Sequence, residues 1–177
     1  MLAQFVQSEL GGSEIRFHDL YKSGFDPRLT ATERASYNQG YDSADLANEI
    51  ANLHWAEALI LVFPTWWFGF PAILKGWFDR VWSPGVAFEN APNLRSIEPR
   101  LALKKVIALT TLGAPWWSDW VIGRPLRRVL KTAILGACAP RANLTWISIY
   151  RAENLSQARL EQAKVRIRRA LSSLGSP

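Results

Sequence analysis

The chain has 177 residues, 49% of them hydrophobic, and 21 Lys and Arg against 15 Asp and Glu give it a net charge of +6. That length supports one domain with a sizeable core and excludes two comfortable ones, so residues 1–177 are read as a single domain. No apolar run reaches bilayer length, the first basic residue is Arg16, and the lone Cys138 excludes an internal disulfide, so the expectation is a cytoplasmic protein with no membrane span and no secretory leader.

The positive charge does not gather into a nucleic-acid footprint. Arg127, Arg128 and Lys131 share one predicted helix, while Arg159, Lys164, Arg166, Arg168 and Arg169 alternate with apolar residues as the solvated face of another. No helix-turn-helix, zinc or RNA-binding signature accompanies them, so neither a nucleic-acid partner nor a metal site is expected.

In chain order, residues 1–10 read as the end of a helix stopped by Gly11 and Gly12. Residues 13–20 place Ile15 and Phe17 between Glu14, Arg16 and His18, the alternation of a strand near a sheet edge. Residues 21–40 read as a long loop with a helical turn at 32–37. Asp42 and Ser43 are N-cap residues for a helix whose face carries Leu46, Ala47, Ile50, Leu53 and His54 and which ends near Trp55.

Residues 58–63 form an unbroken apolar run stopped by Pro64, which predicts an interior strand buried on both faces. Thr65 to Phe70 make an aromatic loop, Pro71 suits a first helical position, and Leu74, Trp77, Phe78, Val81 and Trp82 recur at helical spacing. Trp77 and Trp82 are assigned to the core; Trp66 and Trp67, adjacent on a loop, cannot both point inward. Residues 83–100 are too punctuated by proline for regular structure and read as a lid or interface excursion. A second buried strand lies within 105–111, a turn at 112–115, a helix at 122–136, a strand at 143–150 and a basic closing helix at 154–174.

Strands alternating with helices imply right-handed crossovers and an α/β, doubly wound parallel sheet. Ligands of such sheets bind beyond the carboxyl ends of the strands, so the loops after Pro64 and after Thr110 are the places to look for chemistry.

The stretch from Pro64 to Val81, with His18 to Tyr21 and Phe25 to Pro27 before it and Thr110 to Gly113 after it, strongly resembles the flavodoxin-like NAD(P)H:quinone oxidoreductases. The resemblance implies a flavodoxin-like sheet of order 2-1-3-4-5, with strand 1 and the phosphate-binding loop that open such domains missing from this chain. It implies a homodimer that takes a hydride from NAD(P)H onto FAD or FMN and passes two electrons to a quinone or similar acceptor. By position, Pro64, Thr65, Trp66, Trp67 and Phe68 would lie along the flavin, and Thr110, Thr111, Leu112 and Gly113 would form the second flavin loop. Trp116 and Trp117 become candidates for stacking a nicotinamide or quinone, or for covering a dimer interface. No histidine follows His54, and no general acid is assigned.

The residue chemistry agrees with that implication on its own terms. A flavin needs apolar planes for its faces and fixed N–H donors for its polar edge, and aromatic loops at strand ends offer both. The competing expectation is a non-catalytic binding subunit of the same fold, of the kind associated with potassium-efflux systems, or a truncated inactive homologue.

Overall fold

Lys105–Leu112 is the strand on which the rest is assembled: paired on both edges and almost wholly buried, it is the middle of a three-stranded parallel sheet in a computed structural model that describes residues 2–38, 40–42, 44–91 and 96–174. In chain order the elements are α1 (Leu2–Glu9), α2 (Ala31–Ser36), α3 (Ala47–Trp55), β1 (Ala58–Pro64), α4 (Ala72–Val81), β2 (Phe88–Asn90), β3 (Ile97–Pro99), β4 (Lys105–Leu112), α5 (Trp116–Val121), α6 (Pro125–Arg128), α7 (Leu135–Cys138), β5 (Asn143–Tyr150) and α8 (Gln157–Ser172). The sheet order is β1-β4-β5, with Pro64 opposite Thr111 and Thr110 opposite Ser148.

Its two faces are covered by separate apolar layers, as a parallel sheet requires. On one face Val6 of α1 and Ile167, Ala170 and Leu171 of α8 cover Ile107, Leu109 and Ile147. On the other, Leu74, Trp77, Phe78 and Val81 of α4 join Leu53, Leu126, Leu130 and Leu135 over Leu61, Phe63, Val106 and Ala108. Trp77 and Trp82 are core, as expected, stacked edge to face at 6.0 Å.

Several expectations need correction. Residues 14–19 are extended but belong to no strand, and Ile15 and Phe17 are exposed, because a cavity rather than a strand lies between them and β1. β1 forms where expected but is an edge strand, paired only with β4, and Val62 reaches solvent. Residues 83–100 are not wholly irregular: β2 and β3 form a short antiparallel pair with Glu89 opposite Glu98, and Pro92 lies outside the described residues.

The single helix expected at 122–136 is broken. Gly123 (φ 79°) and Arg124 (φ 50°) are left-handed, Pro125 then opens α6, and residues 129–134 are wound as a π-helical stretch before α7. α3 begins at Ala47 after a 3-10 turn over Ala44–Leu46, with no side-chain cap on Leu46; the Ser43 cap lies outside the described residues. α8 starts later than residue 154, at the N-cap Ser156, whose hydroxyl accepts from the Arg159 amide.

Candidate functional site

Three loops leave the same end of the sheet, at residues 65–71, 113–115 and 151–156, and hydrogen bonds lock them together. The Thr65 amide and its Oγ1 both donate to the Thr111 carbonyl, at 2.9 Å and 3.0 Å. The Arg151 amide donates to the Ala114 carbonyl at 3.2 Å. The turns after Pro64 and Thr110 thus leave neighbouring strands at the same end of the sheet.

Within the first loop, Trp66 and Gly69 exchange two backbone hydrogen bonds, at 3.2 Å and 2.8 Å, while Trp67 (φ 50°) and Phe68 (φ 57°) both occupy left-handed backbone. Positive φ at both central residues is the mark of a type I′ turn, which normally takes Asn and Gly. Side chains larger than glycine cost roughly 1–2 kcal/mol each there. The strain puts Trp67 out into solvent, 98% exposed, with Trp66 beside it. The far end of the loop is anchored by Phe70, whose ring lies 5.6 Å from Phe63 and 5.2 Å from Phe78.

The second loop continues into α5, which carries Trp116, Trp117 and Trp120 on its exposed side. Its buried side is fixed by Asp119, whose Oδ2 accepts from the Tyr150 hydroxyl at 2.8 Å and whose carbonyl accepts from the Arg124 amide at 2.8 Å. Burial, reinforced by the neighbouring Asp119 carboxylate, pushes the Tyr150 phenol up. Nothing in the sequence marked this pair, since only the parallel register of β4 and β5 brings Tyr150 beside Leu112 and hence near α5.

The predicted site residues do not all present side chains. Thr110, Thr111 and Leu112 lie inside β4; Thr110 and Leu112 are buried, and the Thr110 Oγ1 is buried without a hydrogen-bond partner. Gly113 is exposed, and a side chain there would meet the Glu153 carboxylate at 3.3 Å. Pro64, Trp66, Trp67, Trp116 and Trp117 are exposed, and Thr65 and Phe68 half-buried. A flat redox cofactor fits this loop pair: aromatic planes stand free, and the amides of Trp67, Phe68 and Gly113 make no backbone hydrogen bond among the described residues. The histidines serve elsewhere, His18 on Asn52 and His54 on the Val86 carbonyl.

Sequence reasoning also missed Arg80, a buried cation on α4. Its Nε donates to Glu33 at 2.7 Å, its Nη2 to Asp45 at 2.6 Å and its Nη1 to the Asp26 carbonyl at 2.7 Å. These bonds tie Asp26, Glu33 of α2 and Asp45 to α4, the helix that follows the aromatic loop. The T-x-x-E spacing of Thr30 and Glu33 was a visible signal, and both halves of that capping box are formed.

A family model described as the flavodoxin-like fold matches residues 1–174. The chain belongs to this flavodoxin-like family. Among curated proteins, an uncharacterized NAD(P)H oxidoreductase of Haemophilus influenzae is 42% identical over 83 residues, covering 47% of this chain and 41% of that protein. NAD(P)H dehydrogenase [quinone] 1 of Cavia porcellus is 33% identical over 120 residues, covering 58% and 43% respectively. The matches to these relatives thus span less than half of their length. The crystal structure of Smu.1420 from Streptococcus mutans superposes with a TM-score of 0.82 at 25% identity, over 97% of this flavodoxin-like chain and 90% of its own.

Proposed function

We propose that this flavodoxin-like chain is an NAD(P)H-dependent oxidoreductase that holds FAD or FMN between the 64–70 and 110–113 loops and passes two electrons to a quinone or similar acceptor. The observation that carries the reading is the double donation of Thr65 to Thr111, which makes one rigid rim of two loops whose counterparts the sequence resemblance assigns to the flavin. The names of the Haemophilus influenzae and Cavia porcellus relatives support the NAD(P)H and quinone chemistry.

A bound flavin would supply the hydride acceptor and two-electron donor. The protein's share is to bind and orient. Free amides at Trp67, Phe68 and Gly113 are placed to donate to a polar ring edge, where fixed donors stabilise developing negative charge without reorganising. Trp66 and Trp67 offer stacking planes, and Trp116 and Trp117 offer them across the gap to nicotinamide or quinone. The same exposed indoles, with Trp120, Val121 and Ile122, form an apolar surface suited to burial against a second copy, so a homodimer is part of the proposal.

The test is reconstitution of the purified chain with FMN or FAD, followed by NAD(P)H oxidation with and without a quinone. Retained flavin absorbance and acceptor-dependent turnover, lowered by Trp67→Ala and by Gly113→Val, are expected. Colourless protein after reconstitution, with flavin-independent dimers in light scattering, would favour the non-catalytic binding subunit instead. The free edge of β1 is the specific feature on that side.

A further inference from the structure

The corner between α5 and α6 carries three guanidiniums, those of Arg124, Arg127 and Arg128, that the flavin rim does not use. Gly123 (φ 79°) and Arg124 (φ 50°) turn the chain there, fixed by donation from the Gly123 amide to the Trp120 carbonyl at 3.0 Å and from the Arg124 amide to the Asp119 carbonyl at 2.8 Å. Left-handed backbone is costly for an arginine, and strain of this kind gathers at ligand clamps. The Arg124 guanidinium lies 5.9 Å from the Trp120 ring, and Arg128 Nη1 lies 3.5 Å from the point where a side chain on Gly123 would begin.

These cations have no counter-ion in the fold. None of the three forms an ion pair among the described residues, and the carboxylate of Asp119, on α5, is buried and already accepts from the Tyr150 hydroxyl at 2.8 Å. The Nε atoms of Arg124 and Arg127 are, moreover, buried with no hydrogen-bond partner. An exposed arginine such as Arg169 of α8 has solvent for its donors, but a buried donor on a charged group is costly to leave unmet. Two such donors in one corner call for an anion.

Charge and position narrow which anion. Guanidinium forks match phosphate oxygens, and a phosphomonoester carries roughly −1.5 to −2 at pH 7, enough to answer more than one arginine. α5 leaves the 113–115 loop of the proposed flavin rim and its six residues span roughly 9 Å, so the arginines stand at the end of α5 away from the rim. A dinucleotide with its nicotinamide at the rim brings its adenosine end, not its reactive ring, towards them.

We propose that Arg124, Arg127 and Arg128 form a site for the 2′-phosphate on the adenosine of NADPH, so that this chain selects NADPH over NADH. The identity of the ligand rests on the oxidoreductase reading above; the presence of an anion site does not. Trp120 backs the Arg124 guanidinium and leaves the phosphate to the arginines.

The experiment is titration calorimetry of the intact chain, in phosphate-free buffer, with adenosine 2′,5′-bisphosphate, adenosine 5′-monophosphate and inorganic phosphate; it needs no flavin. The bisphosphate is expected to saturate one site per chain and to bind at least about tenfold more tightly than either comparator. Arg127→Gln and Arg128→Gln, with folding checked by circular dichroism, are each expected to weaken it at least about fivefold. Arg169→Gln removes the same charge from α8 and is expected to change it less than about twofold. Equal binding of either comparator would overturn the assignment, as would equal losses from Arg169→Gln and the α6 variants. With flavin and quinone present, the α6 variants are expected to raise the KM for NADPH more than that for NADH, and parallel rises would overturn selection. Bisphosphate binding as expected in a chain that shows no turnover would sink the oxidoreductase reading and leave the site for the phosphorylated adenosine standing.

Discussion

Thr65 donates twice to one acceptor, its amide and its hydroxyl both ending on the Thr111 carbonyl, and this is the only direct cross-link between the loop after β1 and the end of β4 among the described hydrogen bonds. The amide half belongs to the backbone and would survive any side chain; the hydroxyl half belongs to threonine. Thr65→Val keeps shape and amide and deletes one bond, so a loss of about 1 kcal/mol is expected in urea unfolding. If the two loops form one flavin rim, the same variant also weakens flavin retention more than tenfold; unchanged retention would mean that the amide alone sets the rim.

The strained turn at Trp67 makes an opposite pair of effects. Asparagine tolerates left-handed backbone far better than tryptophan, and Trp67 makes almost no contact that its removal could cost. Trp67→Asn should therefore raise stability by roughly 0.5–1 kcal/mol while lowering turnover with a quinone. A variant both less stable and fully active would show that the indole serves packing.

The Arg80 network sets an acid limit. Burial alone would raise the Glu33 carboxyl, but donation from the Thr30 amide and hydroxyl, Arg80 and Tyr41 outweighs it and leaves Glu33 below its ordinary value of 4.5. A carboxyl depressed on folding stabilises fully above its unfolded value and loses that contribution as pH falls through the folded one. Urea midpoints should hold from pH 7 to about 5 and fall below 4.5, and Glu33→Gln should flatten that fall. Arg80→Met, which strands the buried Glu33 carboxylate, should cost about 3–5 kcal/mol at pH 7.

Gly76 lies mid-helix in α4, where alanine would ordinarily gain about 1 kcal/mol. Here an added Cβ would overlap the carbonyl oxygen, Cα and Cβ of Pro27. Because backbone cannot yield as a side-chain tip can, Gly76→Ala should lose about 2–3 kcal/mol in spite of its helix propensity. A gain would show that Pro27 is free to lift from α4.

Much of the site was legible locally. Pro64 ends an apolar run and Pro71 opens an amphipathic helix, so the loop between them had to be a strand-to-helix connection. Thr110 to Gly113 ended the next apolar run in the same way, although burial removes the Thr110 and Leu112 side chains from the loop surface. The left-handed turn at Trp67 and Phe68 was not legible, because it breaks residue preference and is enforced by the bonds between Trp66 and Gly69. The break at Gly123 and Arg124 was hidden because apolar periodicity runs on across it.

The sequence by itself determined that the runs at 58–63, 105–111 and 143–150 are strands of the parallel sheet and which helix faces are apolar. Those properties follow from period and burial within single elements. Only the tertiary structure decided that β1 stands at an edge, that residues 14–19 join no strand of the described sheets, and that Tyr150 meets Asp119 and Arg80 meets Glu33. Pairing partners and buried ion pairs depend on what stands opposite in space, and a strand's pattern of side chains is the same whether or not its outer edge has found a neighbour.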